Sequence, residues 1–351
     1  MKFMNLSLPF DKDTRIAVTG GTGFIGSYLL RTLLSQGCTN IKAIKRKSSS
    51  FDLLGDDAHK VHWVEGDLLD TEVVWDFTTD VDILFHCAAT VSFNPSKKEQ
   101  LYRVNVGGTA ELCNAALENG VKKLVHCSSI SALGKELKGK PITEKTEWKE
   151  FPGISDYALS KHHSELEVWR ASAEGLNVTI VNPSLVMGGG FWNSGTAALF
   201  TQINRKLPFY PSGIIGFVDV RDVAEMLILC ADHQFNEKRF ISSASNFSYR
   251  EMLKLIASHL EKPAPFHRIN KLMITTLPPI LKFLRSLGAK VPPLSKPMLI
   301  ASAQETLYDA SAFIKATGFS YRPIEETVRD TAIQFQKSQE SNTRFGILPI
   351  N

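Results

Sequence analysis

The sequence predicts an α/β protein: a parallel, doubly wound sheet with a smaller C-terminal region interleaved with it. Three observations carry this. Short β-rich runs alternate with amphipathic helical stretches through the first half of the chain, the pattern of strands buried on both faces and joined by crossover helices. The first of these runs leads directly into a glycine-rich turn that opens a helix. Past about Pro183 the texture changes, with Gly188-Gly189-Gly190 and frequent prolines (among them Pro208, Pro211, Pro263, Pro265, Pro278, Pro279, Pro292 and Pro293) marking a loop-rich second region.

In order, strands are expected at 15–19, 41–45, 61–64, 81–86, 123–126 and 178–181, and helices at 24–35, 98–119 and 155–173. Residues 217–229 and 239–243 again read as elements of the sheet domain. The division is therefore 1–182 with 217–243 returning to it, 183–216 and 244–335 as substrate region, and 336–351 as a tail that is polar at first and expected to be mobile, although 345–350 has the character to dock.

Composition sets the limits. With 351 residues and 43 % hydrophobic content a sizeable core is expected, and a net charge of +4 gives no reason to invoke nucleic acid. Cys38, Cys87, Cys113, Cys127 and Cys230 are scattered and odd in number, which argues against a disulfide framework or a zinc site and suits a reducing cytoplasm. The histidines show no ligand spacing, so no metal is expected. The first fourteen residues lack a signal-peptide pattern, and no apolar run is long enough to span a bilayer.

Chemistry concentrates in two places. In Thr19-Gly20-Gly21-Thr22-Gly23-Phe24-Ile25-Gly26, the glycines Gly20, Gly23 and Gly26 allow a tight turn that brings backbone N–H groups to a pyrophosphate at the helix N-terminus. Structural βα turns also contain glycine; the position between strand and helix makes the signal specific. About twenty residues on, where an NAD enzyme carries an acid for the ribose 2′-hydroxyl, stand Lys45-Arg46-Lys47 and Ser48-Ser49-Ser50. Arg46 can grip a 2′-phosphate bidentately and Ser48 can donate to it, which favours NADP(H) over NAD(H); a solvated basic loop is the plain alternative. Asp67 has the chemistry to accept from an adenine amino group or to cap its own turn, and Ala88 and Ala89 leave room for a cofactor or simply pack.

The second place is Tyr157-Ala-Leu-Ser-Lys161, a phenol and an ammonium one helical turn apart on one face. An adjacent cation is expected to lower the tyrosine pKa. Ser128-Ser129 closes the fifth strand, at the carboxyl edge where open parallel sheets bind ligands.

These motifs, with Gly66-Asp67-Leu68, His86-Cys87-Ala88-Ala89, Val104-Asn105-Val106, Asn182-Pro183-Ser184 and the 217–224 segment, resemble the extended short-chain dehydrogenase/reductases, and the resemblance covers nearly the whole chain. It implies a Rossmann-like sheet, a catalytic set of Ser129, Tyr157 and Lys161 supported by Asn105, and a homodimer through the helix bearing Tyr157. Ser129 is preferred to Ser128 by aligning Gly134 with the glycine that closes the family's segment. The resemblance extends the cofactor contacts to Thr22, Phe24, Ile25, Leu68, Ser128, Tyr157, Lys161, Pro183 and Ser184. In texture the chain is similar to dihydroflavonol-4-reductase-like and 3β-hydroxysteroid-dehydrogenase-like members. Gly134 stands where plant dihydroflavonol reductases carry an asparagine, a departure from flavonoid specificity.

Three activities stay open: a ketone or aldehyde reductase, a nucleotide-sugar epimerase with Arg205, Arg239 and Arg250 as candidate diphosphate clamps, and a non-catalytic dinucleotide sensor. Dehydration is disfavoured, since Ile130-Ser131 follows Ser129 where dehydratases carry an acidic pair. The stretch 272–300, rich in Leu, Ile, Met and Pro with basic residues between, reads as core helices, as a cap over an apolar pocket, or as a membrane-surface contact admitting lipid-like ketones.

Overall fold

In the computed structural model, which describes residues 8–137, 139–150, 153–288 and 296–350, the chain opens with β1 (Ile16–Thr19), α1 (Phe24–Ser35), β2 (Ile41–Lys45), β3 (His62–Glu65), α2 (Thr71–Thr78) and β4 (Ile83–His86). A broken helix follows: α3 (Lys98–Leu101), a π-helical stretch (Tyr102–Gly107) and α4 (Gly108–Glu118). Then come β5 (Lys123–Cys127), α5 (Asp156–Ala173) and β6 (Val178–Pro183). The second half holds β7 (Leu185–Met187), α6 (Ala198–Asn204), β8 (Phe209–Tyr210), β9 (Ile214–Asp219), α7 (Val220–Leu229), β10 (Lys238–Ser242), β11 (Ser245–Ser248) and α8 (Tyr249–His259). It ends in β12 (His267–Arg268), α9 (Lys271–Ser286), α10 (Lys296–Ser302), α11 (Ser311–Thr317) and α12 (Ile324–Glu340).

Seven parallel strands form the main sheet in the order β10-β6-β5-β4-β1-β2-β3. The chain winds outward through β2 and β3 from one side of β1 and through β4, β5 and β6 from the other. The winding reverses between β1 and β4, and the crevice beyond their carboxyl ends is where such sheets take ligands. Alternate residues feed opposite layers. Ile16, Val18, Phe85 and Val125 pack with Leu29 and Leu33 of α1, Val223 of α7 and Phe313 of α11. Ala17, Leu84 and Leu124 pack with Phe77 of α2, Leu112 of α4 and Val168 of α5. Both faces are covered, so the strands read as nearly unbroken apolar runs.

A smaller sheet, β11-β9-β7, carries its own core of Phe200, Phe217, Met252, Ile256, Val328 and Phe335 from α6, β9, α8 and α12. The segment 217–229, read from sequence as one return to the main sheet, divides. β9 lies in the small sheet because its partners are β7 and β11, and only α7 packs against α1. β10 pairs with β6 at the edge of the main sheet.

Two further expectations change. The stretch 98–119 is not one helix, and the reason lies in the site described below. The 336–351 tail, expected to be mobile unless 345–350 docks, packs on the body up to residue 350. Residues 336–340 complete α12, Phe345 O accepts from Ser338 Oγ (2.8 Å), Gly346 N–H reaches Gly190 O (3.0 Å), and buried Leu348 donates its N–H to the Tyr28 hydroxyl (2.8 Å). Residues 289–295, with Lys290, Pro292 and Pro293, lie outside the described residues, as do 1–7.

Candidate active site

The glycine turn sits at the sheet's reversal point. Gly20 is left-handed (φ +70°), and a Cβ there would lie 2.6 Å from Ala88 N, so the turn rests directly on the segment leaving β4. A Cβ on Gly26 would lie 2.2 Å from Gly20 O, which is how closely α1 descends onto the turn. Gly23 caps α1 with no side-chain hydrogen bond, and the first turn holds no acidic residue. The opening N–H groups of a helix lack intrahelical acceptors, and with the helix dipole they suit an anion such as a pyrophosphate. Phe24 and Ile25 turn inward against the core, so their backbone rather than their side chains faces the turn.

At the end of β2 the basic residues divide. Lys45 Nζ bonds Glu65 (2.8 Å), whereas Arg46, Lys47 and Ser48 are exposed around an open cleft of about 570 Å3 shared with Glu65, Gly66 and Asp67. Asp67 Oδ1 accepts the Leu69 N–H (3.1 Å), a turn-capping role. Leu68 is buried in the core below α4.

Ser129, Tyr157 and Lys161 come together at the carboxyl ends of β5 and β6. Ser155 caps α5 through the Ala158 N–H (3.1 Å), which sets Tyr157 in the first turn and Lys161 one turn on. Tyr157 packs edge-on to Phe93 (5.6 Å between ring centres), and its phenol lies near the Ser129 hydroxyl. Burial pushes the phenol up to about 12, and the nearby Ser129 hydroxyl pulls the other way. Lys161 is 1 % exposed and donates to Cys127 O (3.1 Å); burial lowers its pKa, opposed by Cys127, Glu165 and Cys87. The expectation that Lys161 lowers the tyrosine pKa is not met, because desolvation dominates and the ammonium is aimed at a carbonyl.

Asn105 lies in the π-helical stretch, and its side chain explains the break. Its Oδ1 accepts the Thr90 N–H (2.7 Å), while its amide donates to Thr90 O (3.0 Å) and Ser160 Oγ (3.0 Å); Ser160 in turn donates to Tyr157 O (2.8 Å). Drawing Asn105 into those contacts displaces one residue of the helical ladder, as π-bulges do. Ser128 is buried, its N–H on Val181 O (2.8 Å); Ser184 Oγ is buried with no partner, beyond Pro183 at the end of β6. An orphaned hydroxyl there fits a ligand that supplies its missing hydrogen bond.

Two networks escaped the sequence reading. Thr19 Oγ1 bonds His86 Nδ1 (2.7 Å), His86 Nε2 bonds Thr109 Oγ1 (2.9 Å), Thr109 donates to Asn105 O (2.6 Å), and Thr19 accepts the Ala88 N–H (3.2 Å). Because Thr109 spends its proton on Asn105, the His86 proton belongs on Nε2, and burial holds that imidazole neutral with its pKa lowered to about 3. The chain of bonds runs from the glycine turn to Asn105. In the second network Glu165, buried, pairs with Arg239 and accepts from Asn182 Nδ2 (2.6 Å), and Asn182 also donates to Ser129 O (2.8 Å). Its position four residues after Lys161 was the available signal. The three candidate clamp arginines are engaged separately: Arg239 on Glu165, Arg250 over the Tyr210 ring, and Arg205 in a cleft of about 400 Å3 with Arg344 and Trp192.

The profile of the NAD dependent epimerase/dehydratase family matches residues 16–241. The chain belongs to that family. Its members are the extended short-chain dehydrogenase/reductases, enzymes of a nicotinamide dinucleotide. A Synechocystis protein provisionally named dihydroflavonol 4-reductase is 31 % identical over 328 residues, 91 % of this chain and 94 % of its own. Sterol demethylase protein B of Methylococcus capsulatus is 32 % identical over 251 residues, covering 71 % of this chain and 75 % of its own. The crystal structure of gox2253 superimposes with a TM-score of 0.79 at 27 % identity, covering 94 % of this chain and all of that one. Among the described residues no helix of this family member is long and apolar enough to cross a membrane.

Proposed function

We propose that this chain is an NADP(H)-dependent reductase of a lipid-like or polycyclic ketone or aldehyde, with Tyr157 as proton donor. The observation that carries the reading is the Tyr157 phenol set near the Ser129 hydroxyl and one helical turn from Lys161, whose ammonium is tied to Cys127 at the end of β5. A carbonyl oxygen seated between the two hydroxyls would accept a hydrogen bond from each. The bound cofactor supplies the hydride. As charge develops on the substrate oxygen, Ser129 stabilises it and Tyr157 gives up its proton. Lys161, held by Cys127 O, would bond the cofactor's ribose, and the bond from Asn105 to Ser160 supports a positioning role for Asn105 on α5.

The preference for the 2′-phosphate rests on a charge argument. Glu65 borders the cleft but is neutralised by Lys45, and Arg46 and Lys47 then outnumber the one remaining carboxylate, Asp67. Flavonoids are not favoured: a Cβ at Gly134 would lie 1.9 Å from Glu147 O, so no asparagine fits where the plant reductases carry one. The relative named for sterol demethylation supports a polycyclic substrate. The five free cysteines suit a reducing cytoplasm.

The test follows NADPH and NADH absorbance with purified protein and a panel of steroid ketones, long-chain ketones, small ketones and nucleotide sugars. Substrate-dependent NADPH oxidation that falls about 10²- to 10⁴-fold in Tyr157→Phe, with melting temperature unchanged, is the expected result. Sugar interconversion without net NADPH loss would replace this reading by an epimerase. Turnover of small polar ketones alone would remove the lipid-like substrate.

A further inference from the structure

Between Glu261 and Glu305 the sequence holds no aspartate or glutamate, yet it carries Lys262, Arg268, Lys271, Lys282, Arg285, Lys290 and Lys296. The whole chain is only +4, so everything outside this stretch sums to a net negative charge. The same stretch displays large apolar side chains in the open. Along α9, Leu272 (70 % exposed), Ile280 (52 %), Phe283 (64 %) and Leu287 (68 %) recur at spacings that stack them on one face, while Met273, Leu277 and Leu281 turn partly inward. Phe266, also 70 % exposed, stands just ahead of β12, and Arg268, Lys271, Arg285 and Lys296 are exposed in the same stretch.

From this juxtaposition we infer that α9, with the turn around Phe266, is a docking surface for an anionic lipid bilayer. The helix spans 16 residues with Pro278 and Pro279 inside it and does not qualify as a membrane span, so it lies along the surface. Its phenylalanine and leucine side chains enter the boundary between headgroups and acyl chains, and its cations meet the lipid phosphates and carboxylates. Charge selects this occupant. A second copy of the chain, meeting the face across a two-fold axis, would set basic residues against basic residues. A nucleic acid would satisfy the cations but leave the exposed phenylalanine and leucine side chains without apolar contacts.

The surface is connected to the candidate site. The chain leaving α10 passes Glu305 and Tyr308, which bridge to Ile214 and Ile142, and Tyr308 and Ile142 pack with Ile130, the neighbour of Ser129. A docked molecule would thus hold its substrate side near a bilayer. Docking itself does not depend on the reductase reading.

Flotation of the full-length protein with vesicles tests it, comparing phosphatidylcholine alone with a mixture of about two parts phosphatidylcholine to one part phosphatidylserine. Partition into the anionic vesicles is expected, weakening as salt is raised. Each basic side chain near such a surface contributes roughly five-fold, so Lys271→Glu with Arg285→Glu lowers partition by about 25-fold or more. Phe283→Ser and Leu287→Ser each weaken it, with circular dichroism unchanged. Tyr157→Phe floats as the unaltered protein does, which separates docking from catalysis. Failure to bind anionic vesicles at low salt overturns the proposal. So does a solution dimer that Phe283→Ser dissociates, or binding of double-stranded DNA with the same dependence on Phe283.

Discussion

The carboxyl ends of β1, β4 and β5 and the basic stretch around α9 lie in the same chain and are built on opposite principles. At the strand ends, polar groups are buried and joined: Thr19, His86, Thr109 and Asn105 form one continuous line of hydrogen bonds with hardly any contact with water. Along α9, apolar groups stand in water and the cations around them include no acidic neighbour in sequence. A buried polar network is specified by its partners and tolerates little change. An exposed apolar helix owes the fold little, and what it displays is available to something outside.

The largest expected effect separates two phenylalanines. Phe85, fully buried in β4, should lose about 3–5 kcal/mol of stability on replacement by alanine, measured by chemical denaturation. A loss under 1 kcal/mol would mean that the sheet's core is not where the fold is held.

Acidification acts next, and only on the buried region. His86 is held neutral with a pKa near 3, against about 6.5 unfolded, so its contribution is present above pH 6.5 and drains away as pH falls toward 3. Between pH 6.5 and 5 this amounts to about 2 kcal/mol, and His126, lowered in the same direction by burial, adds to it. Denaturation curves at several pH values should show that slope flattened in His86→Gln; an unchanged slope would place the proton uptake elsewhere.

Of similar size is Tyr28→Phe, which removes a hydroxyl bonded to Gly189 O (3.0 Å) and Leu348 N (2.8 Å) and should cost about 1–3 kcal/mol, read from the denaturation midpoint. Smallest is Phe283→Ser, expected to change stability by no more than about 0.5 kcal/mol. A greater loss would show α9 to be structural, and the contrast between the two regions would fail.

The two regions also differ in how well the sequence announces them. The alternating strands, the glycine turn and the Tyr157–Lys161 spacing are local patterns, and the fold reproduces them to within a residue or two. The π-helical break at Asn105 is not local: it depends on Thr90 and Ser160, brought beside it only by folding. The upward shift of the Tyr157 pKa is not local either, since it comes from burial, which spacing does not reveal. The placement of β9 in the small sheet likewise turns on partners distant in sequence. Around α9 the composition was visible, but exposure decided among a core helix, a pocket cap and an outer surface.

The Tyr28 hydroxyl carries one more consequence, for the order of events during synthesis. Its two partners lie 161 and 320 residues downstream. At typical elongation rates the second of them emerges on the order of fifteen to sixty seconds after α1. Through that interval the first βαβ unit has a finished phosphate turn and an unfinished flank, sealed only when distant chain arrives. Ribosome-bound intermediates would therefore expose this helix, and a chaperone acting on the nascent chain would find it there.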